Sequence, residues 1–255
     1  STPTSKVVFE GDELTAKDIT DAVTLGENGT KGEPTDLAKD ITAKPGVKEV
    51  TVPVTYTNQN GETLTEPVKV KVTVLPKPEA DEILVPKNGD KEKAKEKVLA
   101  KAKKAIEEST FTGKLPQGAT VTVDETATIT VPDLTEDTEV DVPVKYTVDG
   151  QEKTTTVKVP VTIVEGVPQI VPVKETNDVL PDPEKSVDKE DYPEGSTFRY
   201  KIPEGQTSPI DVTTPGDKDV IVEVLDKNGN PIVEVPATVR VVGSTQQFVV
   251  ADPAK

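Results

Sequence analysis

The side chains that most often carry acid–base, nucleophilic and metal chemistry near neutral pH are missing from this chain. It contains no His and no Cys, which removes the imidazole base, the thiolate nucleophile and the usual zinc and haem ligand sets. Chemistry would have to come from clustered Lys, Asp, Glu and Asn. The densest cluster is the basic run Lys91, Lys93, Lys95, Lys97, Lys101, Lys103 and Lys104, set against Glu92 and Glu96. Such a face attracts anionic polymers, for example wall teichoic acid or sulfated glycans, and Lys101, Lys103 and Lys104 are its candidate ligand-binding residues. The plainer reading is a solvated helix face whose Lys stems cover the edge of a core. It outweighs the binding reading.

Other clusters yield less. Asp226, Asn228 and Asn230 have the spacing that opens a calcium loop, but the twelfth position is Ala237 rather than Glu. An Asn/Gly hairpin turn explains them more simply. Glu136-Asp137 and Asp188 to Asp191 fall in loops. A Lys–Asn isopeptide crosslink needs a desolvated Lys beside a buried acid, whereas Asn28, Asn58, Asn60, Asn88, Asn177, Asn228 and Asn230 all read as turn or loop positions. Leu115-Pro116-Gln117-Gly118 and Leu180-Pro181-Asp182-Pro183 lack the Thr-Gly ending, apolar tail and basic terminus of a wall-sorting signal. A carboxylate-pair glycosidase would need a cleft that small domains with short loops rarely offer. No catalytic residue, metal or cofactor is assigned, and the chain is expected not to be an enzyme.

The elements that carry these residues are repeated. Lys48 to Tyr56, a turn at Asn58 to Gly61, and Val68 to Val74 form one Val-alternating hairpin. Thr138 to Tyr146, a turn ending at Gly150, and Val157 to Ile163 form a second. Lys218 to Val224, a turn at Asp226 to Asn230, and Val233 to Val241 form a third. Period-two alternation buries one face and wets the other, and the Asn-Gly or Asp-Gly pairs supply positive φ at the turns. Spacings of roughly 80 to 90 residues mean domains in series rather than a solenoid. The expected fold is mainly β, with three tandem small two-layer domains in series, the second carrying an added α-helix. The boundaries are 1–77, 78–166 and 167–243, with 244–255 a linker or the start of a next domain.

Helices precede two of the hairpins. Asp90 is an N-cap for a helix to Ile106, with Ala94, Val98, Leu99, Ala102 and Ile106 as its apolar stripe. Thr15-Ala16-Lys17-Asp18 is a capping box. Gly11-Asp12 and Gly89-Asp90 align the first two copies, and a short helical turn is expected around Pro183 to Val187. Val121 to Val131 reads as a further strand. Pro53 and Pro143, in otherwise regular strands, suggest edge positions that discourage edge-to-edge pairing. The thinly spread aromatics, Phe9, Tyr56, Phe111, Tyr146, Tyr192, Phe198 and Tyr200, suit one or two core rings per domain.

The 255 residues carry 30 Lys+Arg against 46 Asp+Glu, a formal net charge of -16. That excess repels phosphate backbones, so nucleic acid is excluded as a partner. No apolar run approaches the 18 or so residues of a membrane span, and no signal peptide is visible. Cys and Met are both absent, which removes oxidisable groups and suits life outside the cell.

The third copy carries a more specific signature. Tyr192-Pro193-Glu194-Gly195-Ser196-Thr197-Phe198, then Asp211-Val212-Thr213-Thr214-Pro215-Gly216-Asp217-Lys218-Asp219-Val220 and its hairpin, resembles the Rib/alpha-like repeat of Gram-positive, wall-anchored surface proteins. The resemblance covers roughly residues 172 to 242. The first copy keeps Lys44-Pro45-Gly46-Val47-Lys48-Glu49-Val50, and the second lacks the Pro-Gly. The resemblance implies that the three tandem domains are small immunoglobulin-like β-sandwiches arranged end to end, and that the chain is a non-enzymatic stalk segment of a cell-surface adhesin that projects a binding tip from the wall. Signal peptide and wall anchor would then lie outside this fragment. The expected partners are neighbouring domains of the same monomeric surface protein. The alternative is an adhesive module whose helical second domain recognises a host glycan, host protein or anionic polymer.

Overall fold

A computed structural model of the chain describes residues 1–243, and the segment read as a linker, 244–255, lies outside them. The described chain is mainly β. It divides into two compact units: one of Ser1–Asp81, Leu99–Ile129 and Asp141–Val159, the other of Glu82–Val98, Thr130–Val140 and the chain from Pro160 onward.

The first unit opens with β1 (Thr2–Pro3), β2 (Lys6–Phe9), α1 (Ala16–Thr20), β3 (Val23–Thr24), β4 (Gly29–Lys31), β5 (Gly46–Thr57) and β6 (Thr63–Leu75). Strands order as β2-β6-β5-β4, while β1 pairs separately with β3. The alternating Val residues have a physical outcome here. Val50, Val52, Val54, Val70, Val72 and Val74 are fully buried, and Ile19 of α1 covers them. The Thr15 capping box is present, with Thr15 Oγ1 and Asp18 each accepting the other's backbone N–H. Asn58 shapes the hairpin turn by accepting from the N–H groups of Asn60 and Glu62.

The middle segment holds β7 (Ile83–Pro86), α2 (Lys91–Glu107), α3 (Ser109–Thr112), β8 (Ala119–Val123), β9 (Thr138–Val148) and β10 (Gln151–Val164), in the sheet order β7-β10-β9-β8. Asp149 and Gly150, at φ 49° and 80°, form the two-residue turn that the Asp-Gly pair requires. Asp90 caps α2, its carboxylate accepting from Glu92 and Lys93 N–H. Asp12, its sequence counterpart, instead binds Phe9 N–H and turns the chain after β2. The two Gly-Asp pairs therefore do different work.

The last segment holds β11 (Gln169–Pro172), 3-10 turns at Pro183–Ser186 and Lys189–Asp191, β12 (Thr197–Tyr200), β13 (Gly216–Leu225) and β14 (Pro231–Val242). The order is β11-β14-β13-β12. All three sheets share one topology: first strand, last strand, third strand, second strand. The first strand always lies parallel to the last.

One expectation needs correction and another needs refinement. The strand expected over Val121 to Val131 ends at Val123, because Asp124 turns the chain by accepting from the Thr126 N–H and hydroxyl. Pro53 and Pro143 sit in β5 and β9, which are inner strands. Each lies just where its short edge neighbour runs out, for the Pro53 carbonyl accepts from Gly32 N–H and the Pro143 carbonyl from Asp124 N–H. A proline costs no ladder bond at such a place.

Candidate functional site

The Lys-rich helix α2 is the first place to look. Its apolar stripe, Ala94, Val98, Ala102, Ala105 and Ile106, is buried, so its lysines line the remaining face. Several are already engaged. Lys91 Nζ lies 2.5 Å from Asp133 and Lys103 Nζ lies 2.6 Å from Glu125. These pairs hold the Asp133 and Glu125 carboxyls below their ordinary range, through the hydrogen bond from each Lys first and its charge second. Lys97, in the second unit, donates to the carbonyls of Leu84 (3.0 Å) and Ile232 (2.9 Å). It thereby ties α2 to both β7 and β14. Of the three candidate residues, Lys103 is the one paired with Glu125, Lys101 is half-buried and Lys104 is exposed.

Beside Lys97 a cleft of about 510 Å³ is lined by Val85, Pro86, Lys93, Ala94, Ile232 and Glu234, among others. Its charged groups are Asp90, Lys93, Lys97, Lys201 and Glu234, three cations with two carboxylates. Among the described residues no group of three or more His, Cys, Asp or Glu is placed to hold a metal ion. No described helix is long and apolar enough to cross a membrane.

The other constellation is the set of contacts where one sheet hands over to the next. Within the first unit, the Tyr146 hydroxyl donates to the buried Pro76 carbonyl at 2.5 Å, and its ring meets Phe9 edge-on at 5.3 Å and 68°. Lys153 lies 5.9 Å above the Phe9 ring, and Lys71 pairs with Asp149 at 2.8 Å. Burial, and after it the Glu10 charge, pushes the Tyr146 phenol well above its ordinary value. Within the second unit, Gly166 bridges to Val187, and Leu84 and Val164 join Val187, Tyr192, Val222 and Val235 in one core. Sequence reading assigned Phe9 and Tyr146 to separate domain cores. It missed that they meet, because periodicity reports which face is buried and not what covers it.

The Pro-Gly-Asp-Lys signature also becomes legible as structure. Asp211 accepts from Thr213 N–H (2.9 Å), Thr213 Oγ1 (2.6 Å) and Asn177 Nδ2, with Thr214 Oγ1 on its second oxygen. These bonds, led by the Thr213 hydroxyl, hold its carboxyl far below the ordinary range. Lys218 fastens Thr214, and Asp217 pairs with Arg240 across the β13–β14 ladder. Asp226 accepts from Asn228 and Asn230 N–H, repeating the turn that Asn58 makes.

No family model matches the chain, and no curated protein matches it. Among solved structures, it is similar to Rib R28N from Streptococcus pyogenes, at 30% identity over 31% of this chain and 90% of that one, with a TM-score of 0.25. Drosophila N-cadherin EC1-4 is similar at 12% identity over 94% of this chain and 74% of that one, with a TM-score of 0.20. Mouse cadherin-23 EC22-24 is similar at 11% identity over 96% and 97%, with a TM-score of 0.18.

Proposed function

We propose that the chain is a non-enzymatic spacer segment of a bacterial cell-surface adhesin, built from three tandem immunoglobulin-like domains at 1–77, 78–166 and 167–243. The observation that carries this reading is the threefold repetition of one four-stranded topology. Each repeat is joined to the next by a short connector, residues 76–82 and 165–168. Connectors this short, with Pro76, Pro78 and Pro168 in them, leave little slack between domains. The perturbed carboxylates are explained by turns and ion pairs, which is what a scaffold uses them for. The Rib-like signature of the third repeat supports a Gram-positive, wall-anchored parent with its signal peptide and anchor elsewhere, and a monomeric segment whose partners are the neighbouring domains.

A binding screen over sulfated glycans, teichoic acid and host matrix proteins tests the reading. A spacer gives no saturable signal. Saturable binding that is lost on neutralising Lys101, Lys103 and Lys104 together to Ala would replace it with an adhesive module using the α2 face.

A further inference from the structure

In every repeat the first strand lies parallel to the last: Lys6–Phe9 on Val72–Leu75, Ile83–Pro86 on Val161–Val164, and Gln169–Pro172 on Val239–Val242. The ladder does not stop at the strand ends. The N–H of the residue after each first strand donates to the last carbonyl of the last strand: Glu10 to Leu75 at 2.8 Å, Lys87 to Val164 at 2.9 Å and Val173 to Val242 at 2.9 Å. In the first two repeats that same residue also holds the departing chain. Glu10 accepts from Lys77 N–H at 2.9 Å, and Lys87 pairs with Glu165 at 3.0 Å.

Parallel terminal strands have a mechanical consequence. The chain enters a repeat at the near end of the first strand and leaves at the far end of the last, so tension between entry and exit runs along both strands in opposite senses. The ladder is loaded in shear, and its bonds must fail together. If the strands were antiparallel, entry and exit would lie at one end and the bonds would open singly. Forced unfolding is governed by the unfolding barrier, and simultaneous failure raises it. We infer that each repeat is closed by a tension clamp formed by its terminal strands. The inference rests on the spacer reading for its use, while its mechanics rest on strand direction alone.

The native chain has no Cys, so paired engineered thiols define the pulling points in single-molecule force spectroscopy on the full chain. Thr4→Cys with Lys77→Cys pulls the first repeat from entry to exit, along the strands. Glu13→Cys with Lys77→Cys moves one handle past β2, so the same ladder is opened from its far end. All three positions are exposed. At equal loading rate the first pair is expected to rupture at no less than twice the force of the second. Equal forces, or a lower force for the first pair, would overturn the clamp. Pro168→Cys against Glu175→Cys, each with Gly243→Cys, repeats the comparison in the third repeat should a first-repeat variant fold poorly. A weak response along the strands would remove the clamp and leave the spacer reading standing, whereas saturable binding in the screen above would remove the spacer and leave the clamp.

Discussion

At the scale of single residues, two buried tyrosines make opposite forecasts. Tyr146 has a partner in the Pro76 carbonyl, whereas the Tyr192 hydroxyl is buried with none among the described residues. Tyr146→Phe strands a buried acceptor and is expected to cost about 1–3 kcal/mol in denaturant unfolding. Tyr192→Phe removes an unpaired buried hydroxyl and is expected to be neutral or stabilising by up to about 1 kcal/mol. Both phenols are raised in the folded chain, by burial first, so folding holds their protons more tightly than the unfolded chain does. That stabilisation is complete below the unfolded phenol value of about 10 and is lost as pH climbs above it. The carboxylates work in the other direction. Asp211, Asp133 and Glu125 are lowered, so their contribution is present above about pH 4 and is lost on acidification below it. With no His in the chain, the groups shifted between those limits are the Ser1 α-amino group, raised first by its hydrogen bond with Tyr56, and Tyr56, lowered first by the same contact with Ser1, so any slope in that window belongs to the Ser1–Tyr56 contact. Asp211→Asn should melt lower than the parent at pH 7, and the gap should close as the pH falls below about 4. A series of thermal melts from pH 2 to 11 checks each limb.

At the scale of elements, the connectors and α2 carry the forecasts. A Cβ at Gly166 would sit 2.4 Å from the Pro236 carbonyl oxygen, which is backbone and cannot swing aside. Gly166→Ala is therefore expected to destabilise by roughly 1–3 kcal/mol. Lys97→Met keeps the stem but loses two charged hydrogen bonds, to Leu84 and Ile232, a loss on the order of 1.5–3 kcal/mol. Amide exchange in β7 and β14 would show it as locally reduced protection. Much of this level is readable without coordinates. The three hairpins, their turns, the Asp90 cap and the Thr15 capping box follow from period, turn chemistry and capping rules acting over a few residues. What was not readable depends on partners distant in sequence. Whether Pro53, within the inner strand β5, has a strand neighbour on its β4 side is set by where β4 stops. Asp124 ends a strand that Val/Thr alternation would have carried on to Val131. The same limit applies to the candidate site, where Lys103 and Lys97 look like free surface charge until Glu125 and two carbonyls are seen opposite them.

At the scale of the whole molecule, a net charge of -16 spread over 255 residues keeps neighbouring copies apart, which suits the proposed spacer role. The proposed spacer role requires three repeats set in series to span distance. Small-angle X-ray scattering of the full chain in dilute buffer tests it most directly. Three domains of about 35 Å each in line give a radius of gyration of roughly 30 Å, and the spacer account predicts that value with one long maximum dimension. A radius near the roughly 18 Å of a single compact body of this length would contradict it.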